Sequence, residues 1–168
     1  MRRVLVAGIG NIFLGDDAFG VEAARLLAAR DWPEGVEVRD FGIRCRDLAY
    51  RLSEGWDAAI LVDAAGRGGP PGTLYRIDLG RALPEERPPL DGHGVGAAQV
   101  LELAVHIAGG ACSHPPQLWL VGCEPESFDL EGGGLSAAVA AALPEALAMV
   151  EALIGELLAS QGLEVTTA

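Results

Sequence analysis

An open α/β fold, built on a mostly parallel sheet with one antiparallel edge strand, is the class this sequence predicts. Three observations predict it. Short apolar runs alternate with amphipathic segments along the chain. A glycine-rich stretch from Gly8 to Gly20, GIGNIFLGDDAFG, stands between the first apolar run and the first amphipathic segment, as a strand-to-helix loop does. The turn-forming stretch AAGRGGPPG is too short for a helical crossover, so the strand after it is expected to lie antiparallel at an edge.

Taken in order, Arg3 to Ala7 reads as a buried parallel strand. Ala18 to Arg30 reads as a helix with Val21, Ala24, Leu27 and Ala28 on one face. Val36 to Asp40 is the second strand, Phe41 to Arg44 the next loop, and Asp47 is the expected cap of a helix reaching about Glu54. Asp57 to Asp63 is the clearest strand, ending on a carboxylate, and Thr73 to Asp78 is the antiparallel one. A long proline-rich connection then delivers His93 to a helix from Val95 to Ile107. Gln117 to Gly122 is the last strand, and Leu135 to Ala159 is a closing helix that Pro144 is expected to kink or divide. Residues 1–160 are expected to form one domain, with 161–168 a frayed tail.

Composition removes several function classes. The 168 residues carry 24 acidic and 12 basic side chains, a formal net charge of -12 that argues against a nucleic-acid partner. Half the residues are hydrophobic, so disorder is excluded. No lysine occurs, which excludes a Schiff-base lysine and a Walker-type phosphate lysine. Cys45, Cys112 and Cys123 form no CxxC pair and are odd in number, pointing to a reducing compartment, with the cytoplasm as the simplest expectation. No run reaches the roughly 20 apolar residues of a membrane span without a charge or glycine, so no membrane insertion is expected.

Two constellations compete for the loop at Gly8. Gly8-Ile9-Gly10, with Asp40 ending the second strand, imitates a dinucleotide fingerprint and its ribose-binding acid. The imitation is incomplete: Phe13 stands where the third glycine belongs, and Asp16 and Asp17 occupy the helix start where a pyrophosphate needs bare amides. A metal site accounts for more of the residues. Asp17, Asp63 and His93 each sit at or after the carboxyl end of a different strand, and their mixed oxygen and nitrogen donors suit nickel, zinc, manganese or iron. Singly, each has a simpler structural reading: an acid at a helix N-terminus, a loop cap, an exposed loop histidine. His106 reads as core packing and His114 as a surface residue; no serine or cysteine carries a local nucleophile signature.

GIGNIFLGDDAFG, the strand ending in Asp63, His93 before a helix and the run VGCEPES from Val121 to Ser127 together resemble the hydrogenase maturation endopeptidases, the processing proteases of [NiFe] hydrogenases. The resemblance covers nearly the whole chain in order. It implies a three-layer α/β/α domain whose twisted sheet has about five strands, one antiparallel. It also implies removal of a C-terminal peptide from the precursor of the hydrogenase large subunit after nickel insertion, the metal being the substrate's own nickel or a divalent substitute. The family's metal-binding positions fall on Asp17, Asp63 and His93, with Asp16 and Asp40 as further candidate catalytic acids. Where many members have an Asp-Gly-Gly-Thr loop, this chain has Asp40-Phe41-Gly42-Ile43-Arg44. Asn11, Asp40, Gly42 and Arg44 are candidate substrate contacts, and Arg44, a lone cation among acids, is expected to hold a substrate carboxylate or anchor Asp40. The alternative from another class is a non-catalytic metal- or dinucleotide-binding module using the same crevice.

Overall fold

The structure is a computed structural model that describes residues 1–81, 115–129 and 133–160. Five strands form one sheet in the order β2-β1-β3-β5-β4. These are β1 (Val4–Ile9), β2 (Val36–Gly42), β3 (Ala58–Ala64), β4 (Leu74–Gly80) and β5 (Gln117–Cys123). All neighbours run parallel except β4 against β5, so the expected antiparallel strand is where the short AAGRGGPPG turn requires it, at an edge.

Strands β1 and β3 lie inside the sheet, which explains their unbroken apolar sequence: a strand covered on both faces has no solvent side to mark with polar residues. Alternate side chains feed two cores. Val4, Val6, Ala58, Ile60 and Val62 face Phe19, Ala23 and Leu27 of α1 (Phe19–Ala28) and Val150, Leu153 and Leu157 of α3 (Ala137–Ala159). Leu5, Ala7, Ile9, Ala59 and Leu61 face Leu48, Ala49 and Leu52 of α2 (Cys45–Leu52). The three layers expected from the sequence are therefore present.

Four local expectations are corrected. A 3-10 turn, Gly15–Ala18, precedes α1, and α1 ends at Ala28 rather than Arg30, its last turn closed by the Trp32 indole donating to Leu27 O at 2.8 Å. Strand β2 runs on to Gly42, because an irregularity in its register with β1, between the pairs Gly8–Asp40 and Ile9–Gly42, lets pairing continue past Asp40. Helix α2 starts at Cys45, with the Leu48 amide already bonded to Arg44 O at 3.1 Å, so Asp47 lies within the first turn instead of capping it. Pro144 does not divide α3. A proline removes one amide donor, and the helix continues through it, with Val139 buried before it and Ala146 and Leu147 after it.

Helix α3 is also the one described helix long and apolar enough to cross a membrane by length and composition. Its apolar face is spent on the sheet, where Val150, Leu153 and Ile154 are buried. The expected helix from Val95 to Ile107, His93 with the connection before it, and the tail 161–168 lie outside the described residues.

Candidate functional site

The loop after β1 is shaped by close backbone approach. A Cβ on Gly8 would stand 2.2 Å from Gly20 O and 2.5 Å from the Ala24 Cβ; one on Gly10, whose φ is +139°, would stand 1.8 Å from Asp17 O. The glycines thus let the 3-10 turn and the start of α1 press onto the end of β1.

This compression carries Asp17 into the protein, 6% exposed. Its Oδ2 accepts the Asn11 amide at 2.8 Å, and among the described residues it has no ion pair. Burial raises its pKa above the usual aspartate range, outweighing the Asn11 amide, which lowers it. Asn11 spends its side chain on the same loop, with Oδ1 accepting the Phe13 amide at 2.9 Å. Asp63 is buried near the end of β3, where its neighbour across β5 is Gly122. The 3-10 turn bearing Asp17 packs against β3, so strand topology brings the two predicted acids to the edge formed by the carboxyl ends of the parallel strands.

The α2 side of that edge holds Asp40 and Cys45. Asp40 Oδ1 is buried without a hydrogen-bond partner, while Oδ2 lies 3.6 Å from the Arg25 guanidinium. The Cys45 thiol is pushed up by burial and then by the Asp63 carboxylate, which places Cys45 within electrostatic reach of Asp63. Arg44 does not meet the Asp40 carboxylate. It donates to the main-chain oxygens of Asp40 at 2.6 Å and Phe41 at 3.1 Å, and so fastens the loop that follows β2. Gly42, at φ +54°, returns its carbonyl to the Gly10 amide at 3.1 Å and ties this loop to the first.

Asp16 behaves differently from its neighbour. It is fully buried, and both oxygens are used: Oδ2 accepts the amides of Glu126 at 2.8 Å and Ser127 at 3.1 Å, and Oδ1 accepts that of Ser136 at 2.7 Å. It braces the loop after β5 and the N-terminus of α3 against the 3-10 turn. Glu124, which sequence reasoning quoted but gave no role, does the same for the loop after β3. Its carboxylate accepts from the amides of Arg67 at 2.7 Å and Gly68 at 3.1 Å and from the Tyr75 hydroxyl at 2.7 Å. Burial works to raise its pKa, but the Tyr75 hydroxyl and the amides of Arg67, Gly68 and Gly69 together hold it below the usual glutamate range. The available signal was an acid directly after a strand, facing a glycine-rich turn.

Cys123 is buried, its thiol pushed up to about 12 by burial and by Asp16 and Glu124, which removes it as a thiolate nucleophile. Among the described residues no cluster of three histidine, cysteine or acidic side chains could hold a metal ion. Asp17 and Asp63 supply two oxygen donors of the predicted set, and His93, the third, lies outside the described residues. Hard carboxylate oxygens fit a divalent cation, and Asp17, buried and without an ion pair among the described residues, is the kind of group such an ion would neutralise.

Known proteins share both this fold and this sequence. The hydrogenase maturation protease (HycI) family model matches residues 21–153. The hydrogenase expression/formation protein HupM of Azotobacter chroococcum is 34% identical over 158 residues, covering 92% of this chain and 72% of that protein. The hydrogenase maturating endopeptidase HybD from E. coli superposes with a TM-score of 0.75 at 32% identity, covering 92% of this chain and 93% of that one. A hydrogenase 2 maturation peptidase from a Thaumarchaeota archaeon gives a TM-score of 0.68 at 30% identity, over 92% of this chain and 99% of that one. With a family match over most of its length and a shared fold, the chain belongs to the HycI family of hydrogenase maturation proteases.

Proposed function

We propose that this protease removes a C-terminal peptide from the precursor of a [NiFe] hydrogenase large subunit after nickel insertion, and that it recognises the nickel already held by that substrate. The observation that carries the reading is Asp17: a buried carboxylate with a raised pKa and no ion pair among the described residues. Ionised, it is costly to the free protein. It becomes favourable when a cation arrives beside it.

Asp17 and Asp63, with His93 as the third ligand, would complete the coordination of a nickel ion whose other ligands are precursor thiolates. An incomplete oxygen and nitrogen set binds free metal weakly, so only a loaded precursor is gripped and an empty one is passed over. Nickel so placed would supply a Lewis acid able to polarise the scissile carbonyl or activate water. Of the two further acids, Asp40 keeps one buried oxygen without a hydrogen-bond partner among the described residues, the other lying against Arg25, whereas Asp16 has spent both oxygens on amides.

Intact-mass spectrometry of the nickel-loaded precursor tests this. Wild-type protein is expected to release one C-terminal peptide, and Asp17→Asn and His93→Ala to release none. A nickel-free precursor is expected to stay whole. Cleavage of the empty precursor would sink the metal-gated part, and an uncut loaded precursor would leave the metal-binding module.

A further inference from the structure

The described residues leave few large apolar side chains exposed, and four of them stand on the two loops around Asp17. Ile12, Phe13 and Leu14 belong to the loop after β1 and Ile43 to the loop after β2. Phe13 is 82% exposed and Ile43 59%. These side chains are held out by an ordered backbone. The Phe13 amide bonds Asn11 Oδ1 at 2.9 Å, the Leu14 amide bonds Asn11 O at 3.1 Å, and the Asp17 amide bonds Leu14 O at 3.0 Å. The bond from the Gly10 amide to Gly42 O joins the second loop to the first. Phe13 and Ile43 therefore stand on one rim, and that rim is fixed to the carboxylate of Asp17 through the Asn11 amide.

We propose that Phe13, flanked by Ile12 and Ile43, is the docking tip that seats the large-subunit precursor by entering an apolar recess beside its metal. The proposal rests on the function proposed above, and it identifies the occupant by position and by charge. A bond cut at Asp17 and Asp63 can reach them only if the precursor's surface covers the rim around them. The rim is bordered by the exposed Glu126 and Asp129, whose segment is bonded to Asp16, in a chain of net charge -12, while on the β2 side Asp40 is paired with Arg25 and Arg44 is exposed. The recess that receives Phe13 is accordingly one with basic residues around it. An anchor of this kind acts on substrate and transition state alike, so its loss appears in KM and not in kcat.

The test measures binding of the nickel-loaded precursor to immobilised protease, with processing by intact mass and thermal melting alongside, for wild type, Phe13→Ala, Phe13→Asp and Ile43→Asp. Leu26→Asp, on the last turn of α1, is the control for an exposed apolar residue away from the rim. The expected result is binding weakened by about tenfold or more for both Phe13 variants, with a matching rise in KM. Expected alongside are kcat within about twofold of wild type, an unchanged melting temperature and an inert Leu26→Asp.

Phe13→Asp binding as tightly as wild type overturns the proposal, as does an equal loss in Leu26→Asp. Binding is read without cleavage, so wild type that binds but never cuts defeats the proposed function and leaves the docking result readable. Wild type that does not bind defeats both. A wild-type dimer that Phe13→Asp dissociates with precursor binding unchanged gives the tip to a second copy of the chain and overturns the proposal.

Discussion

The Asn11 amide points at Asp17 Oδ2 across 2.8 Å and is the one hydrogen bond that carboxylate accepts among the described residues. One amide does not offset burial, so the pKa of Asp17 lies above the usual aspartate range. A carboxyl whose folded pKa is raised above its unfolded value stabilises the fold below the unfolded value and loses that contribution as pH rises through the folded one. At neutral pH and without metal, Asp17→Asn is therefore expected to raise the melting temperature, since the amide oxygen keeps the Asn11 bond and the buried charge is gone. The same variant is expected to lose precursor processing. A lower melting temperature in chelator would contradict this account of Asp17.

Asp16 predicts the opposite outcome one residue away. Asp16→Asn replaces an acceptor by an NH2 group that faces an amide donor, leaving at least one buried N–H unsatisfied. The expected cost is about 2 kcal/mol, or a fall in melting temperature of roughly 4–8 °C. Calorimetry of the two variants side by side decides the matter, and similar shifts for both would remove the distinction between brace and ligand.

Glu124 gives a prediction in acid. Its folded pKa is depressed, so its contribution is present above the unfolded value, near 4.5, and is lost as pH falls through the lower folded value. Urea melts between pH 7 and 3 are expected to show wild type losing stability over the acid end of that range. Glu124→Gln should be less stable at pH 7 and flatter in acid. Tyr75→Phe, which removes one bond and spares the amides, should fall between them. Parallel curves for wild type and Glu124→Gln would refute this role.

Gly10→Ala tests the compressed loop. A methyl 1.8 Å from Asp17 O cannot be accommodated without moving the 3-10 turn, and φ +139° strains any side chain there. Loss of processing is expected even at temperatures where the variant remains folded, because Asp17 is displaced. Gly68→Ala, with open space around its Cβ and a positive φ, is the control for strain alone. Equal activity in Gly10→Ala and wild type would show that the contact is not needed to set Asp17.

The strands were legible because interior parallel strands are written as continuous apolar runs, and Asp63 stood out as an acid interrupting such a run near the end of β3. The division of labour between Asp16 and Asp17 was not. Asp16 is recognised by the amides of residues 126, 127 and 136, and an amide leaves no mark in a sequence. Glu124 escaped for the same reason. The start of α2 was placed too late because Asp47 has the composition of a cap, while the carbonyls of Ile43 and Arg44 had already begun the turn. Arg44 was read by its charge, yet its partners are carbonyl oxygens.

The bond from Ser136 to Asp16 joins positions 120 apart. During synthesis the acids of the first loop leave the ribosome early, but their brace arrives only with the last helix. A nascent chain stopped before Ser136 holds Asp17 without the frame that fixes its neighbour. The frame around the first loop is therefore complete only when nearly all of the chain has been made.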